Sequence, residues 1–196
     1  QRQPQSDPTR KLNGTYLNET INNIVLQAKQ AKDYFLLIGP PGTGKTSVAL
    51  RSMVEEFHSD KETNILLLSY TNRAVDEICE MLENISTDIE YIRIGGELSC
   101  SKPYQPRLLK NVMQTCRNRA DVVARLNGIR IYTGTVSSIM GHPELFELKH
   151  FDVAIIDEAS QILEPQIIGI LCAHKGNLCA IDKFILIGDH KQLPAV

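Results

Sequence analysis

Residues 35–46 read Phe35-Leu36-Leu37-Ile38-Gly39-Pro40-Pro41-Gly42-Thr43-Gly44-Lys45-Thr46. Four apolar residues suited to a buried strand run into a glycine-rich turn, and the stretch Lys45–Phe57 beyond it has helical spacing. Gly39 to Thr46 match G-x-x-x-x-G-K-[ST] at every position, in the strand-then-helix setting that motif requires. Gly39, Gly42 and Gly44 permit turns closed to other residues and let backbone N–H groups approach phosphate oxygens. The helix that follows points its positive end at the same anion. Lys45 is expected to reach the β- and γ-phosphates of ATP, and the Thr46 hydroxyl to bind Mg²⁺. Pro40, Pro41, Thr43 and Ser47 complete the expected nucleotide-binding segment. A glycine-rich turn with an exposed lysine is the bland alternative, and a full motif in the right setting outweighs it.

On either side of this stretch the apolar pattern repeats. Short runs recur at Ile65–Leu68, Tyr91–Ile94, Ile129–Tyr132, Val153–Ile156 and Phe184–Ile187, with helical stretches between several of them, notably Arg73–Leu82 and Arg107–Leu126. Continuous apolar strands alternating with helices predict an α/β fold, a parallel sheet covered on both faces. Before the first strand, Asn18 is expected to cap a helix reaching about Ala31, with Ile21, Ile24, Val25 and Ala28 on one face. Residues 1–16 read as a disordered lead-in, and Gln1–Arg10 is polar with two prolines.

The run Phe151–Ile156 ends in Asp157-Glu158-Ala159-Ser160. Carboxylates at the carboxyl end of a buried strand lie at the ligand-binding edge of an open α/β sheet. Asp157 is the expected partner of the Mg²⁺ shell, and Glu158 is placed to orient or deprotonate an attacking water. Alone, such a pair is often a solvated loop start; after a phosphate-binding turn it supplies what phosphoryl transfer needs. The last run leads into Gly188-Asp189-His190-Lys191-Gln192-Leu193-Pro194. There Gln192 can hydrogen-bond a γ-phosphate oxygen and a neighbour together, which suits a sensor of nucleotide state.

Bulk properties narrow the class without naming a partner. A chain of 196 residues with 42% apolar content can bury one sizeable core. The net charge of −2 does not advertise nucleic acid, so any basic contact surface has to be local. No run approaches the roughly 18 apolar residues of a membrane span, and no signal peptide opens the chain. The five cysteines form no C-x-x-C pair and read as reduced thiols, so an intracellular setting is expected, cytoplasmic if bacterial and nuclear if eukaryotic. The chain opens on Gln1 rather than Met, and an interior start is the expectation.

Taken together, these segments resemble the superfamily 1 helicases of the 5′-to-3′ branch. GPPGTGKT resembles motif I, DEAS motif II and GDHKQLP motif III, while Ser69-Tyr70-Thr71-Asn72-Arg73-Ala74-Val75-Asp76 resembles motif Ia and Gly134-Thr135-Val136-Ser137-Ser138 motif Ic. Within that branch, AKDYFLLIGPPGTGKT, EYIRIGG, GHPELF, FDVAIIDEASQILEP and ILIGDHKQLPAV look most like the replication helicase–nuclease family that processes Okazaki-fragment flaps. The RNA helicases of nonsense-mediated decay are similar in motifs I to III. The resemblance implies a P-loop NTPase of RecA-like fold over residues 17–196, the first of two such domains. The second domain, with its arginine fingers, is expected to belong to the same parent chain and lies outside this sequence.

It also implies a partner, single-stranded nucleic acid, with DNA favoured over RNA. Thr71, Asn72 and Arg73, together with Thr135, Ser137 and Ser138, would then grip its phosphates with hydroxyls, amides and helix N-terminal N–H groups. Thr71 and Asn72 also read simply as helix-capping residues, and both roles can coexist. Family members often carry a glutamine that reads adenine four residues after the leucine of a Leu-Asn pair. Counted from Leu17, that position is Ile21, so use of GTP or mixed nucleotides stays open. Residues 101–128 look like a basic helical insertion. Between Ser101 and Arg130 lie Lys102, Arg107, Lys110, Arg117, Arg119, Arg125 and Arg130 against the single acid Asp121. That imbalance suits backbone binding or a solvated basic helix equally.

The leading expectation is therefore an ATP-hydrolysing motor domain in which Lys45, Glu158 and Gln192 carry the chemistry. An RNA helicase of the same superfamily, a P-loop kinase and a nucleotide-dependent switch remain as alternatives.

Overall fold

A computed structural model describes residues 5–39 and 45–189, without the side chains of residues 45–47. Pro40, Pro41, Gly42, Thr43 and Gly44, the side chains of Lys45, Thr46 and Ser47, and Gln192 lie outside the described residues.

The chain runs α1 (Glu19–Gln30), β1 (Tyr34–Ile38), a wide helical turn Lys45–Leu50 continuing as α2 (Arg51–Ser59), β2 (Ile65–Ser69), α3 (Asn72–Ile85) and β3 (Tyr91–Ile94). After short helical turns come α4 (Leu109–Val112), α5 (Arg119–Gly128), β4 (Ile131–Thr135), α6 (Val136–Met140), α7 (Glu144–Leu148) and β5 (Val153–Ile156). The last elements are α8 (Glu164–Leu171), the small hairpin β6 (His174–Lys175) and β7 (Leu178–Cys179), and β8 (Phe184–Gly188).

Six strands pair in the order β1-β8-β5-β2-β4-β3, every pair parallel. Alternation along a strand sends successive side chains to opposite faces. Ile65 and Leu67 of β2 therefore join a core with α1, α2 and α3, while Leu66 and Leu68 join a second one with α5 to α8. The expected α/β architecture with helices on both faces is the one observed. The crossover from β1 to β2 passes over two positions that β8 and β5 fill later. Loops far apart in sequence thereby stand side by side at the carboxyl edge.

Asn18 caps α1 as expected, its side chain accepting from the Ile21 N–H at 2.9 Å, with Ile21, Val25 and Ala28 buried. Residues 5–16, expected to be disordered, instead lie against the domain. The Asp7 N–H donates to the Gln30 carbonyl at 2.8 Å, and Leu12 and Tyr16 pack on the core. The fully buried Glu56 explains much of this, for its carboxylate accepts from Asn13 N–H, Gly14 N–H, the Tyr16 hydroxyl and Lys29. Polar residues that look unstructured by composition here satisfy a buried charge. The expected helix Arg107–Leu126 is also corrected: it breaks into a turn at Lys102–Arg107, α4, a turn at Met113–Thr115 and α5, which Asn118 caps afresh.

Two buried lysines close helix ends. Lys149 Nζ donates to the carbonyls of Leu126, Asn127 and Ile129 at the end of α5, and Lys183 Nζ to those of Ala28 and Lys29 at the end of α1. A cation there also meets the negative end of the helix dipole. Burial nevertheless lowers both side chains to about 8, helped by Lys175 beside Lys149 and by Arg10 and Lys29 near Lys183. With the folded value below the unfolded one, the unfolded chain holds more protons above pH 8. Stability is thus expected to rise as pH climbs from 7 to 9, read as an increasing urea midpoint. The rise should shrink in Lys149→Met and Lys183→Met.

Candidate functional site at the carboxyl edge of the sheet

In an all-parallel sheet every strand ends at the same edge, and here that edge divides into two neighbouring groups of loops. The first follows β1, β8 and β5. The Gly39 N–H donates to the Gly188 carbonyl at 3.3 Å, tying the start of the glycine-rich turn to the end of β8. On the other side of β8, the Asp189 N–H donates to Ser160 Oγ at 3.2 Å. A Cβ built on Gly188 would stand 3.0 Å from Ser160 N and 3.2 Å from Ser160 Cβ. Glycine is needed there for the loop after β5 to close over β8, so Gly188→Val is expected to cost about 1–3 kcal/mol, measured by urea unfolding. The three segments expected to handle a nucleotide therefore begin on one edge, on adjacent strands.

Asp157 continues β5, its N–H donating to the Leu68 carbonyl at 2.8 Å, and the residue is only 3% exposed. Asp189, equally buried, directly follows the neighbouring strand β8. Hard oxygen donors of this kind suit Mg²⁺. Glu158 differs in conformation: with φ 54° and ψ 30° it is the one non-glycine residue of positive φ among the described residues. That region costs an ordinary side chain about 1–2 kcal/mol, and such residues cluster where function over-determines them. Its carboxylate accepts from Ser69 Oγ at 3.2 Å, and its carbonyl from the Gln161 N–H at 2.9 Å.

The second group of loops follows β2 and β4, which pair with Ser69 opposite Thr135. Thr71 Oγ1 accepts from the Ala74 N–H at 3.1 Å and caps α3, and Thr135 Oγ1 accepts from the Ser138 N–H at 3.0 Å and caps α6. Asn72, Arg73 and Ser137 are exposed, whereas Thr135 is buried. The six residues expected to grip a strand thus meet on one side of the edge, with two of them engaged as caps. The Arg73 guanidinium pairs with Glu77 at 3.3 Å on the surface, a contact readily exchanged for a phosphate.

Several contributors were not legible in the motif reading. Ser69 and Ser160 hold the loops after β5 and β8 through their hydroxyls, and no spacing marks either residue for that task. Arg93, a buried arginine in β3, donates to Asp76 and to the Ser99 carbonyl, and Asp76 also accepts from Ser101 Oγ at 2.6 Å. This network fastens α3 to the loop after β3, making Asp76 a structural member of its motif. An arginine inside an otherwise apolar strand was the available signal, since buried cations require partners. Four of the seven basic residues between Ser101 and Arg130 contact other parts of the domain. Arg107 stacks 5.0 Å from the Tyr91 ring, Arg125 pairs with Glu90 at 2.8 Å, Lys110 lies 3.9 Å from Glu97, and Arg130 binds the carbonyls of His58, Asp60 and Thr63. Ile21, where a base-reading glutamine was looked for, is 8% exposed and belongs to the core.

Comparison with known proteins adds a lineage to this geometry. A family model described as an AAA domain matches residues 16–126 and 107–196. The chain is 34% identical over 178 residues to the DNA replication ATP-dependent helicase/nuclease JHS1 of Arabidopsis thaliana, covering 91% of this chain and 12% of that protein. It is 35% identical over 182 residues to the DNA replication ATP-dependent helicase/nuclease DNA2 of Saccharomyces cerevisiae, covering 92% and 11%. With DNA2 of Homo sapiens the identity is 31% over 182 residues, covering 91% and 16%. The chain spans only 11–16% of the length of these relatives. Among solved structures, the UvsW helicase from bacteriophage T4 superposes with a TM-score of 0.58 at 17% identity, over 87% of this chain and 52% of that one, a likeness of fold. No helix among the described residues is long and apolar enough to cross a membrane.

Proposed function

The chain belongs to the AAA-domain family and is homologous to one segment of the DNA replication helicase/nucleases, and from that premise we propose that it is an ATP-hydrolysing motor domain acting on single-stranded DNA. One observation carries the reading: the loops after β1, β8 and β5 are joined on one edge by the Gly39–Gly188 and Asp189–Ser160 hydrogen bonds.

The triphosphate sits on Gly39 to Ser47, held by backbone N–H groups, the positive end of the following helix and Lys45. Thr46 and Asp157 would hold Mg²⁺, which would neutralise charge on the phosphate oxygens. Glu158 orients a water for attack at the γ-phosphorus and accepts its proton. Gln192 senses the γ-phosphate. The strand lies along Thr71, Asn72, Arg73, Thr135, Ser137 and Ser138, where α3 and α6 present capped N-termini and hydroxyls to phosphates without reading sequence. A second RecA-like domain of the parent protein closes on the nucleotide and converts hydrolysis into movement. With Ile21 in the core, base discrimination falls to other contacts.

The test is phosphate release from ATP by the full-length protein, with no phosphoryl acceptor present. Release stimulated by a single-stranded oligodeoxynucleotide is the expected result. Release that requires an added small-molecule acceptor and ignores the oligonucleotide would assign the site to a kinase instead.

A further inference from the structure

We propose that Ser69 is a positioning residue through which strand binding controls Glu158; this rests on the reading of Glu158 as the hydrolytic base. Ser69 ends β2, the strand beside β5, and is fully buried. Its hydroxyl donates to Glu158 Oε2 at 3.2 Å. On the other side of β5 stand β8 and then β1, the strands that lead to the nucleotide segments. The hydrogen bond therefore holds the carboxylate toward the strand-binding half of the edge and away from the phosphate half.

The same serine is directly connected to the surface that would feel a strand. Only Tyr70 separates it from Thr71, the cap of α3, and the exposed Asn72 and Arg73 follow at once. Ser69 pairs with Thr135, the cap of α6, so both candidate grips share its position on the edge. Glu158 is the matching movable part. Among the described residues, its side chain accepts from the Ser69 hydroxyl and its carbonyl from the Gln161 N–H. A strand phosphate bound at Asn72 and Arg73 draws the end of β2 with it, loosens the Ser69 bond and lets the carboxylate turn toward the nucleotide. One hydroxyl thus restrains the carboxylate, and strand binding removes the restraint.

Two measurements on the full-length protein test this. The first is phosphate release from saturating ATP with and without a single-stranded oligodeoxynucleotide. In Ser69→Ala the strand-free rate is expected to rise about 5–10-fold at unchanged KM for ATP, the scale of one hydrogen bond, so that stimulation by the strand shrinks. Ser69→Thr, which keeps the donor, is expected to behave as wild type. A merely structural serine would lower both rates together. The second is amide hydrogen exchange at Gln161 and Ile162 without nucleotide, where the oligonucleotide is expected to speed exchange in wild type and leave Ser69→Ala, already fast, unchanged. Should the alanine variant fail to fold, Ser69→Cys, of similar volume and weaker donor strength, carries the same expectations. An unaltered strand-free rate together with a wild-type exchange response would overturn the coupling alone, provided Glu158→Gln is inactive. Full activity in Glu158→Gln would instead overturn the reading of the base.

Discussion

Glu158→Gln is expected to lower strand-stimulated turnover by about 10²–10⁴, the usual worth of a positioned general base, while nucleotide affinity stays within a few-fold of wild type. The amide is nearly isosteric with the carboxylate and retains an oxygen for the Ser69 hydroxyl, so the loop after β5 keeps its place. What it loses is the capacity to take a proton from water. The outcome is read by comparing phosphate release with equilibrium binding of a fluorescent ATP analogue. A variant that binds but does not turn over isolates the chemical step. Parallel loss of binding would mean that Glu158 chiefly maintains the edge.

Lys45→Ala is expected to act earlier, at binding. An ammonium donating to phosphate oxygens makes a charge-assisted contact worth about 1.5–3 kcal/mol, or roughly 10–100-fold in affinity for the triphosphate. The effect should be much smaller for a nucleoside monophosphate, which lacks the groups Lys45 meets. Titration calorimetry with the triphosphate and monophosphate measures both. The contrast between the two substitutions, one stopping catalysis and the other weakening binding, tells the cradle from the base.

The strands were readable in the sequence because a parallel sheet buried on both faces demands unbroken apolar runs, as in Ile65–Leu68 and Val153–Ile156. β4 shows where that reasoning fails. The apolar pattern placed it at Ile129–Tyr132, yet the strand runs Ile131–Thr135. Thr133-Gly134-Thr135 looks like a turn, but Gly134 lies where a Cβ would be 2.9 Å from the Ile94 carbonyl, and Thr135 ends the strand by capping α6. Close approach of two backbones leaves only a glycine behind as its signal.

The candidate site divides in the same manner. Motif spacing marks Gly39 and Asp157–Glu158, and the fold brings the segments that carry them to one edge of the sheet. The Ser69 contact was not. It joins residues 89 apart in sequence, and a serine at the end of a strand carries no mark of its partner. Glu158's left-handed backbone was equally hidden, since that conformation usually announces itself through glycine or asparagine. Residues 5–16 depart from the expected disorder because polar composition describes average solvation, while Asn13, Gly14 and Tyr16 answer one specific buried carboxylate.

The most direct test of the central claim is a crystal structure of the chain with Mg²⁺ and a non-hydrolysable ATP analogue. The account requires the γ-phosphate to lie between the Lys45 amine and the carboxylates of Asp157 and Glu158, with the ion on Thr46 and Asp157. An analogue bound at the amino edge of the sheet, or seated on the glycine turn with both acids too far away to reach the metal or a water, would contradict it.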